Sequence, residues 1–88
     1  MYRIEIASRR VEKEIAVLPN AMRERIIQAM RKLGENPRPS GARKMIGEMR
    51  GAWRIRVGGY RVIYDVDDER RLVVILAVLH RREAYQRR

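Results

Sequence analysis

The pattern of apolar and polar residues predicts a strand and then a short helix at the start of the chain. Residues 2–6 alternate apolar with charged side chains, which is typical of a strand with one buried face. Ser8 is placed to cap a helix in which apolar residues recur at helical spacing from residue 11 to residue 18. Pro19 stops this pattern, so we expect the helix to be short and amphipathic.

A second amphipathic helix is predicted after Pro19. Asn20 is placed to cap this helix, and Gly34 is placed to end it. Its apolar stripe consists of Met22, Ile26, Ile27, Met30 and Leu33. Residues 35–41 contain two prolines and show no periodicity, which indicates a loop.

A β-hairpin is predicted over residues 53–65. Gly58-Gly59 makes a two-residue connection that tolerates the positive φ angles of tight turns, and the flanking runs alternate apolar with polar residues. With this turn, Val57 faces Tyr60, Arg56 faces Arg61 and Ile55 faces Val62, while Arg54 lies on the same sheet face as Arg56. Three guanidinium groups then share one face, and a polyanion would relieve their mutual repulsion.

The remaining pattern predicts the fold class. Residues 72–79 are continuously apolar, as in a strand that is covered on both faces and central in its sheet. Residues 42–51 fit either a short strand or an irregular approach to the hairpin. The order β-α-α followed by three strands predicts an α+β fold, with both helices on one face of a largely antiparallel sheet. The hairpin arginines are expected on the other face.

Composition narrows the range of functions. The 88 residues suit a single domain over residues 1–88, and a net charge of +10 favours nucleic acid, an anionic membrane or an acidic protein as partner. The chain has no cysteine and one histidine, which excludes disulfides, thiolate nucleophiles and multi-histidine metal sites. The longest apolar run is too short to span a bilayer, and the N-terminus lacks a signal-peptide core. We therefore expect a cytoplasmic protein that uses no metal or cofactor and has no membrane-spanning segment, while charge alone does not choose among the three kinds of partner.

Candidate site residues follow the continuously apolar strand directly. They are His80, Arg81, Arg82 and Tyr85. If this strand lies beside the hairpin, the four residues come near Arg54, Arg56 and Arg61 in one concave basic surface. Asp67 and Asp68 do not indicate a metal site, because aspartate is ordinary in a turn between strands.

The run R-G-x-W-R-I-R-V-G-G-Y-R-V-I-Y-D at residues 50–65, followed by an apolar strand and H-R-R-E-A-Y at residues 80–85, resembles the RelE/ParE superfamily of toxins, and RelE most closely. The resemblance covers nearly the whole chain. It implies a β-α-α-β-β-β fold and the function of a type II toxin-antitoxin toxin. A RelE-like toxin cuts mRNA on the small ribosomal subunit without a metal, and a small acidic RelB-like antitoxin encoded beside it blocks this activity by wrapping the toxin.

The resemblance also implies roles for single residues. RNA cleavage without a metal uses the ribose 2′-hydroxyl as nucleophile, so the enzyme must accept its proton, stabilise the phosphorane-like transition state and assist the leaving oxygen. By analogy with RelE, Arg61 contacts the phosphate, Arg81 stabilises the leaving side, Tyr85 is the general base, and His80 is an alternative acid. Arg54 and Arg56 stand where RelE has lysines, and with Lys44 and Arg82 they complete the expected RNA-binding set. Arginine keeps its proton at working pH, so Arg54 and Arg56 bind phosphate and do not shuttle protons.

Two other functions are compatible with the same sequence. One is a ParE-like toxin that inhibits DNA gyrase and cuts nothing, since a shared fold does not determine function. The other is a catalytically inactive paralogue that binds nucleic acid, which the absence of lysine on the hairpin favours.

Overall fold

The computed structural model describes residues 1–47 and 51–82 of the chain. Its elements in chain order are β1 (Arg3–Ile6), α1 (Arg9–Ala16), α2 (Asn20–Glu35), β2 (Arg43–Lys44), β3 (Trp53–Val57), β4 (Tyr60–Asp67) and β5 (Leu72–His80). The predicted order is confirmed, and the ambiguous segment before the hairpin contributes the two-residue strand β2. None of the described helices is long and apolar enough to cross a membrane.

The described strands form one mixed sheet in the order β1-β5-β4-β3-β2. β1 runs parallel to β5, and the other three neighbouring pairs are antiparallel, so the predicted largely antiparallel α+β arrangement is confirmed. The apolar strand β5 is an interior strand, as its sequence predicted, because it lies between β1 and β4. The middle position of the five belongs to β4.

Both helices pack on the same face of the sheet and enclose the main core. Val11, Ile26 and Leu33 of the helices are at most 2% exposed, and they pack in one cluster with Val62 and Tyr64, which are completely buried. Burying a side chain of this size stabilises the fold by roughly 1.5–3 kcal/mol. A smaller apolar cluster contains Ala52, Ile63, Ala77 and Leu79.

The hairpin between β3 and β4 has the predicted register. Val57 pairs with Tyr60, Arg56 with Arg61 and Ile55 with Val62. Of the two turn glycines only Gly58 has a positive φ, of 59°. A positive φ at the first central residue alone is the pattern of a type II′ turn, whose twist matches that of the flanking strands.

The ends of the helices differ in detail from the prediction. Ser8 occupies the N-cap position of α1, but its side chain makes no capping hydrogen bond. Asn20 is not the cap of α2, because the helix begins at Asn20 and Pro19 occupies the N-cap position. The Oδ1 atom of Asn20 accepts a hydrogen bond from Nη2 of Arg23 instead.

Gly34 lies inside α2 and does not end it, because the helix continues to Glu35. The backbone N–H of Tyr2 donates a hydrogen bond of 2.7 Å to the carbonyl oxygen of Gly34. A Cβ atom at position 34 would lie 2.9 Å from the Tyr2 carbonyl oxygen. Glycine is therefore required here by the close approach of the chain before β1, not by a helix terminus.

Hydrogen bonds and an ion pair attach the loop between α2 and β2 to β4 and to the turn that follows β4. The Tyr64 hydroxyl donates a 2.7 Å hydrogen bond to the Pro37 carbonyl oxygen. Arg38 forms a bidentate pair with Asp68, with N–O distances of 3.1 and 2.7 Å, and the Arg38 hydrogen bonds hold the pKa of Asp68 below its ordinary value. Arg38 also lies 5.5 Å from the centre of the Trp53 ring, so the loop has a defined position beside β3 and β4.

Replacing Gly34 by alanine is predicted to destabilise the protein by about 1–3 kcal/mol. Alanine in place of glycine inside a helix normally stabilises by about 1 kcal/mol, so the sign of the change tests the close contact with Tyr2. Urea unfolding of the wild-type protein and the variant measures the change in the free energy of unfolding. The control is Gln28→Ala at an exposed position of α2, which should change stability by no more than about 0.5 kcal/mol.

Replacing Tyr64 by phenylalanine is predicted to cost about 1–3 kcal/mol at neutral pH, because the buried Pro37 carbonyl loses its donor. Burial raises the pKa of Tyr64 from 10.0 to about 12. The unfolded chain therefore ionises first, and the contribution of the hydroxyl is complete below pH 10.0 and is lost as the pH rises toward about 12. Urea unfolding of both proteins across this range should show the difference narrowing above pH 10.0. If the difference in unfolding free energy between the two proteins stayed constant across this range, the raised pKa of Tyr64 would be contradicted.

Candidate nucleic-acid interface

Four arginines lie on the sheet face opposite the helices, which we call the arginine face. Across the strands, Arg43 pairs with Arg54, and Arg56 pairs with Arg61. Directly paired residues point to the same side of a sheet, and so do residues two apart along a strand. Arg43, Arg54, Arg56 and Arg61 therefore share one face, as predicted for the three hairpin arginines.

The four arginines differ in their exposure. Arg43 and Arg56 are exposed and Arg54 is partly exposed, whereas Arg61 is 2% exposed. Arg61 lies on an interior strand, where Leu79 pairs with it on one side and Arg56 on the other, and its Nη1 atom donates to the Tyr60 carbonyl oxygen at 3.4 Å. Its charge is thus screened less by water than the charges of the other three.

A cleft of about 380 Å³ opens on the arginine face, and it is lined by Gly41, Arg43, Arg54 and Arg56. Arg43 was not among the residues selected from the sequence. Its position depends on the pairing of β2 with β3, and residues 42–51 carry no periodicity from which that pairing can be read. A site of this composition can hold an anion such as a phosphate through bidentate hydrogen bonds.

Lys44, which was selected as an RNA-binding residue, lies on the other face of the sheet. It pairs with Trp53 across β2 and β3, and its Nζ atom lies 5.4 Å from the centre of the Trp53 ring. Trp53 packs against the main core, which faces the helices. Adjacent residues of a strand point to opposite faces, so Arg43 lies on the arginine face and Lys44 does not.

His80 also lies on the helix side, although it was expected to converge with the hairpin arginines. It pairs with Tyr60, and the two rings meet edge to face with centroids 5.3 Å apart. The cause is a β-bulge: Tyr64 pairs with Ile75 but Ile63 pairs with Ala77, so Leu76 is an extra residue in β5. Without this residue, His80 would point to the arginine face.

Arg81 and Arg82 leave β5 beside the hairpin turn. The backbone N–H of Arg81 donates a 2.8 Å hydrogen bond to the Gly59 carbonyl oxygen, and the N–H of Arg82 lies 3.3 Å from Nδ1 of His80. Both side chains are exposed, so two further arginines leave the backbone next to the hairpin turn. Tyr85 lies outside the described residues.

Guanidinium groups determine what this surface can do. They bind and neutralise anions but do not accept or donate protons at ordinary pH. Among the residues that the structure describes, no group of three or more histidine, aspartate or glutamate side chains is placed to hold a metal ion. The arginine face is therefore suited to phosphate binding and to stabilising negative charge, and proton transfer requires other residues.

Comparisons with known proteins give one consistent match. A sequence model of the family described as ParE toxin of type II toxin-antitoxin system, parDE, matches residues 5–85. Toxin RelG of Mycobacterium tuberculosis is 48% identical over 40 residues, and this match spans 46% of this chain and 46% of RelG, about half of the relative's length.

Solved structures of similar proteins extend the match to nearly the whole chain. A chain of the archaeal RelE–RelB complex of Pyrococcus horikoshii is 31% identical with a TM-score of 0.78, and the match covers 91% of this chain and 94% of that chain. A chain of the toxin-antitoxin complex RelBE2 of Mycobacterium tuberculosis is 26% identical with a TM-score of 0.79, and the match covers 90% of this chain and 96% of that chain. The isolated RelE toxin of E. coli is 27% identical with a TM-score of 0.75, and the match covers 99% of this chain and 98% of that chain.

The arginine face is predicted to bind polyanions more strongly than the helix side does. A double variant Arg54→Ala/Arg56→Ala should elute from heparin at lower salt than the wild-type protein. The matched control is Arg9→Ala/Arg31→Ala, which removes the same charge from exposed positions on the helices. Equal elution of the two double variants would show that only net charge matters.

Proposed function

The chain belongs to the RelE/ParE superfamily of toxins from type II toxin-antitoxin systems, and we propose that it is a ribosome-dependent endoribonuclease that cleaves mRNA. The observation that carries this proposal is the arginine face, where Arg54, Arg56 and Arg61 stand together beside the backbone of Arg81. A surface of this charge suits an RNA phosphate. The similarity to solved RelE toxins over most of both chains supports the same function.

In the proposed reaction, the ribose 2′-hydroxyl attacks the adjacent phosphorus and the 5′-oxygen of the next nucleotide leaves. Arg56 holds the non-bridging oxygens of the scissile phosphate and Arg54 holds the same RNA strand beside it, because both side chains are accessible. Arg61 pairs with Arg56 across the strands and adds positive charge from a buried position, where electrostatic stabilisation of the transition state is strongest. Arg81 stabilises the leaving oxygen from the end of β5.

Proton transfer is assigned to residues outside the arginine set. We propose Tyr85 as general base, since positive charge near a phenol favours its phenolate form. His80 is the alternative acid, since imidazole donates protons near neutral pH. The His80 ring contacts Tyr60 on the helix side, which favours a role in positioning the end of β5. We therefore assign stabilisation of the leaving 5′-oxygen first to Arg81.

The proposed partners follow from the same chemistry. The similar structures from Pyrococcus horikoshii and Mycobacterium tuberculosis are complexes of a toxin with its antitoxin. A net charge of +10 suits a small acidic RelB-like antitoxin as the inhibitor of this chain. The small ribosomal subunit and its mRNA are the proposed targets, which places the protein in the cytoplasm.

Gyrase inhibition is the second candidate function. The family model that matches residues 5–85 is described as a ParE toxin, and ParE-like toxins act on DNA gyrase without cutting RNA. The two candidates share the fold, so the fold does not distinguish them and an assay of each activity is needed.

In a translation extract, the wild-type protein is predicted to produce discrete mRNA breaks within codons, mapped by primer extension. Arg56→Ala should lower the cleavage rate by about a hundredfold, the effect of removing one charge-stabilising donor from a transition state. Tyr85→Phe should give a similar loss. Arg31→Ala removes an exposed arginine from the helix side and should cleave at the wild-type rate.

A gyrase supercoiling assay with the same preparations separates the two candidates. Intact mRNA together with blocked supercoiling would overturn the nuclease proposal in favour of gyrase inhibition. Circular dichroism of each variant ensures that a loss of activity is not a loss of fold.

A further inference from the structure

We propose that Arg43 and Arg54 form a second phosphate-binding subsite, which holds the RNA backbone at the nucleotide next to the scissile phosphate. The inference rests on the proposed function, because it extends the same RNA strand across the arginine face. Neither residue 43 nor a second phosphate position follows from the family resemblance, which concerns the hairpin and the end of β5.

The register of the sheet places the arginines in two successive pairs. Arg56 and Arg61 form the pair nearer the hairpin turn, and Arg43 and Arg54 form the pair two residues further along β3. Two residues of a strand span about 7 Å, and the second pair lies one strand spacing of about 4.8 Å to the side of the first, so the centres of the two pairs are roughly 8 Å apart. This spacing is comparable with that of neighbouring phosphates in an extended single strand, so one strand of RNA can place one phosphate at each pair.

Both members of the second pair are accessible, whereas only one member of the first pair is. Arg43 and Arg54 line the cleft of about 380 Å³ together with Arg56 of the first pair, while Arg61 is almost fully buried. Gly41 forms part of the cleft wall, and as a glycine it has no side chain that would fill the space. Its φ of 111° is one that other residues rarely adopt. The volume is sufficient for a phosphate with part of its sugar.

The charge of the second pair is not neutralised by the described part of the chain. Ion pairs between two described residues involve Arg3, Arg10, Arg38 and Arg70. Arg38, in the preceding loop, is held by Asp68, but no carboxylate of the described residues pairs with Arg43 or Arg54. Two adjacent arginines without a carboxylate repel each other, and a bound phosphate removes that cost.

The helices provide a matched control for Arg43. Arg31 is exposed on α2, on the side of the sheet opposite the arginine face. Removing either charge changes the net charge by the same amount. Only a subsite on the arginine face predicts that the two positions differ.

The experiment compares Arg43→Gln with Arg31→Gln in binding a short uridine oligonucleotide whose 2′-hydroxyls are methylated, so that it cannot be cleaved. Fluorescence anisotropy over a series of salt concentrations gives the slope of log affinity against log salt. Loss of one phosphate contact on single-stranded RNA should lower the magnitude of this slope by about 0.7, which corresponds to about fivefold weaker binding at ~0.1 M salt. We expect this change for Arg43→Gln and an unchanged slope for Arg31→Gln.

Two outcomes overturn the subsite. One is an unchanged slope in Arg43→Gln, and the other is an equal decrease in both variants, which would show a general effect of net charge. The cleavage assay separates this inference from the proposed function. If the wild-type protein cuts no mRNA but the two variants still differ in binding, the nuclease proposal fails while the subsite for an RNA backbone stands.

Discussion

Burial of one side of β3 and β4 against the helices determines where the hairpin arginines go. Val57, Val62 and Tyr64 are at most 8% exposed, and each contributes roughly 1.5–3 kcal/mol to stability by its burial. Two like charges opposite each other on a sheet cost only roughly 0.2–1 kcal/mol. The core therefore sets the register, and Arg56 and Arg61 are held face to face despite their repulsion.

The part of this arrangement that depends on local signals could be predicted from the sequence. The two-residue Gly58-Gly59 turn and the alternation around it determine the pairing of β3 with β4 without reference to any other element. The helices and β5 have clear apolar patterns and were predicted as such. Within the site, this reasoning placed Arg54, Arg56 and Arg61 on one face.

Local patterns do not predict a position that depends on contacts between distant segments. β2 has only two residues, so its own sequence does not show which of Arg43 and Lys44 faces Arg54, and the pairing with β3 decides it. Burial of Arg61 depends on what lies beside β4, which no pattern within the hairpin reveals. The orientation of His80 depends on one extra residue, Leu76, because a single insertion reverses every side chain beyond it.

The position of β5 also affects when the sheet is completed during synthesis and folding. β5 lies between β1 and β4, and its pairing with β1 joins residues as far apart as Arg3 and Leu72. Contacts between such distant residues slow folding, because a long loop must close before they form. During synthesis the hairpin can form early, but β1 has no neighbour in the sheet until β5 leaves the ribosome. A nascent chain thus carries its arginines for some time on an incomplete sheet, and the finished toxin assembles in one late step.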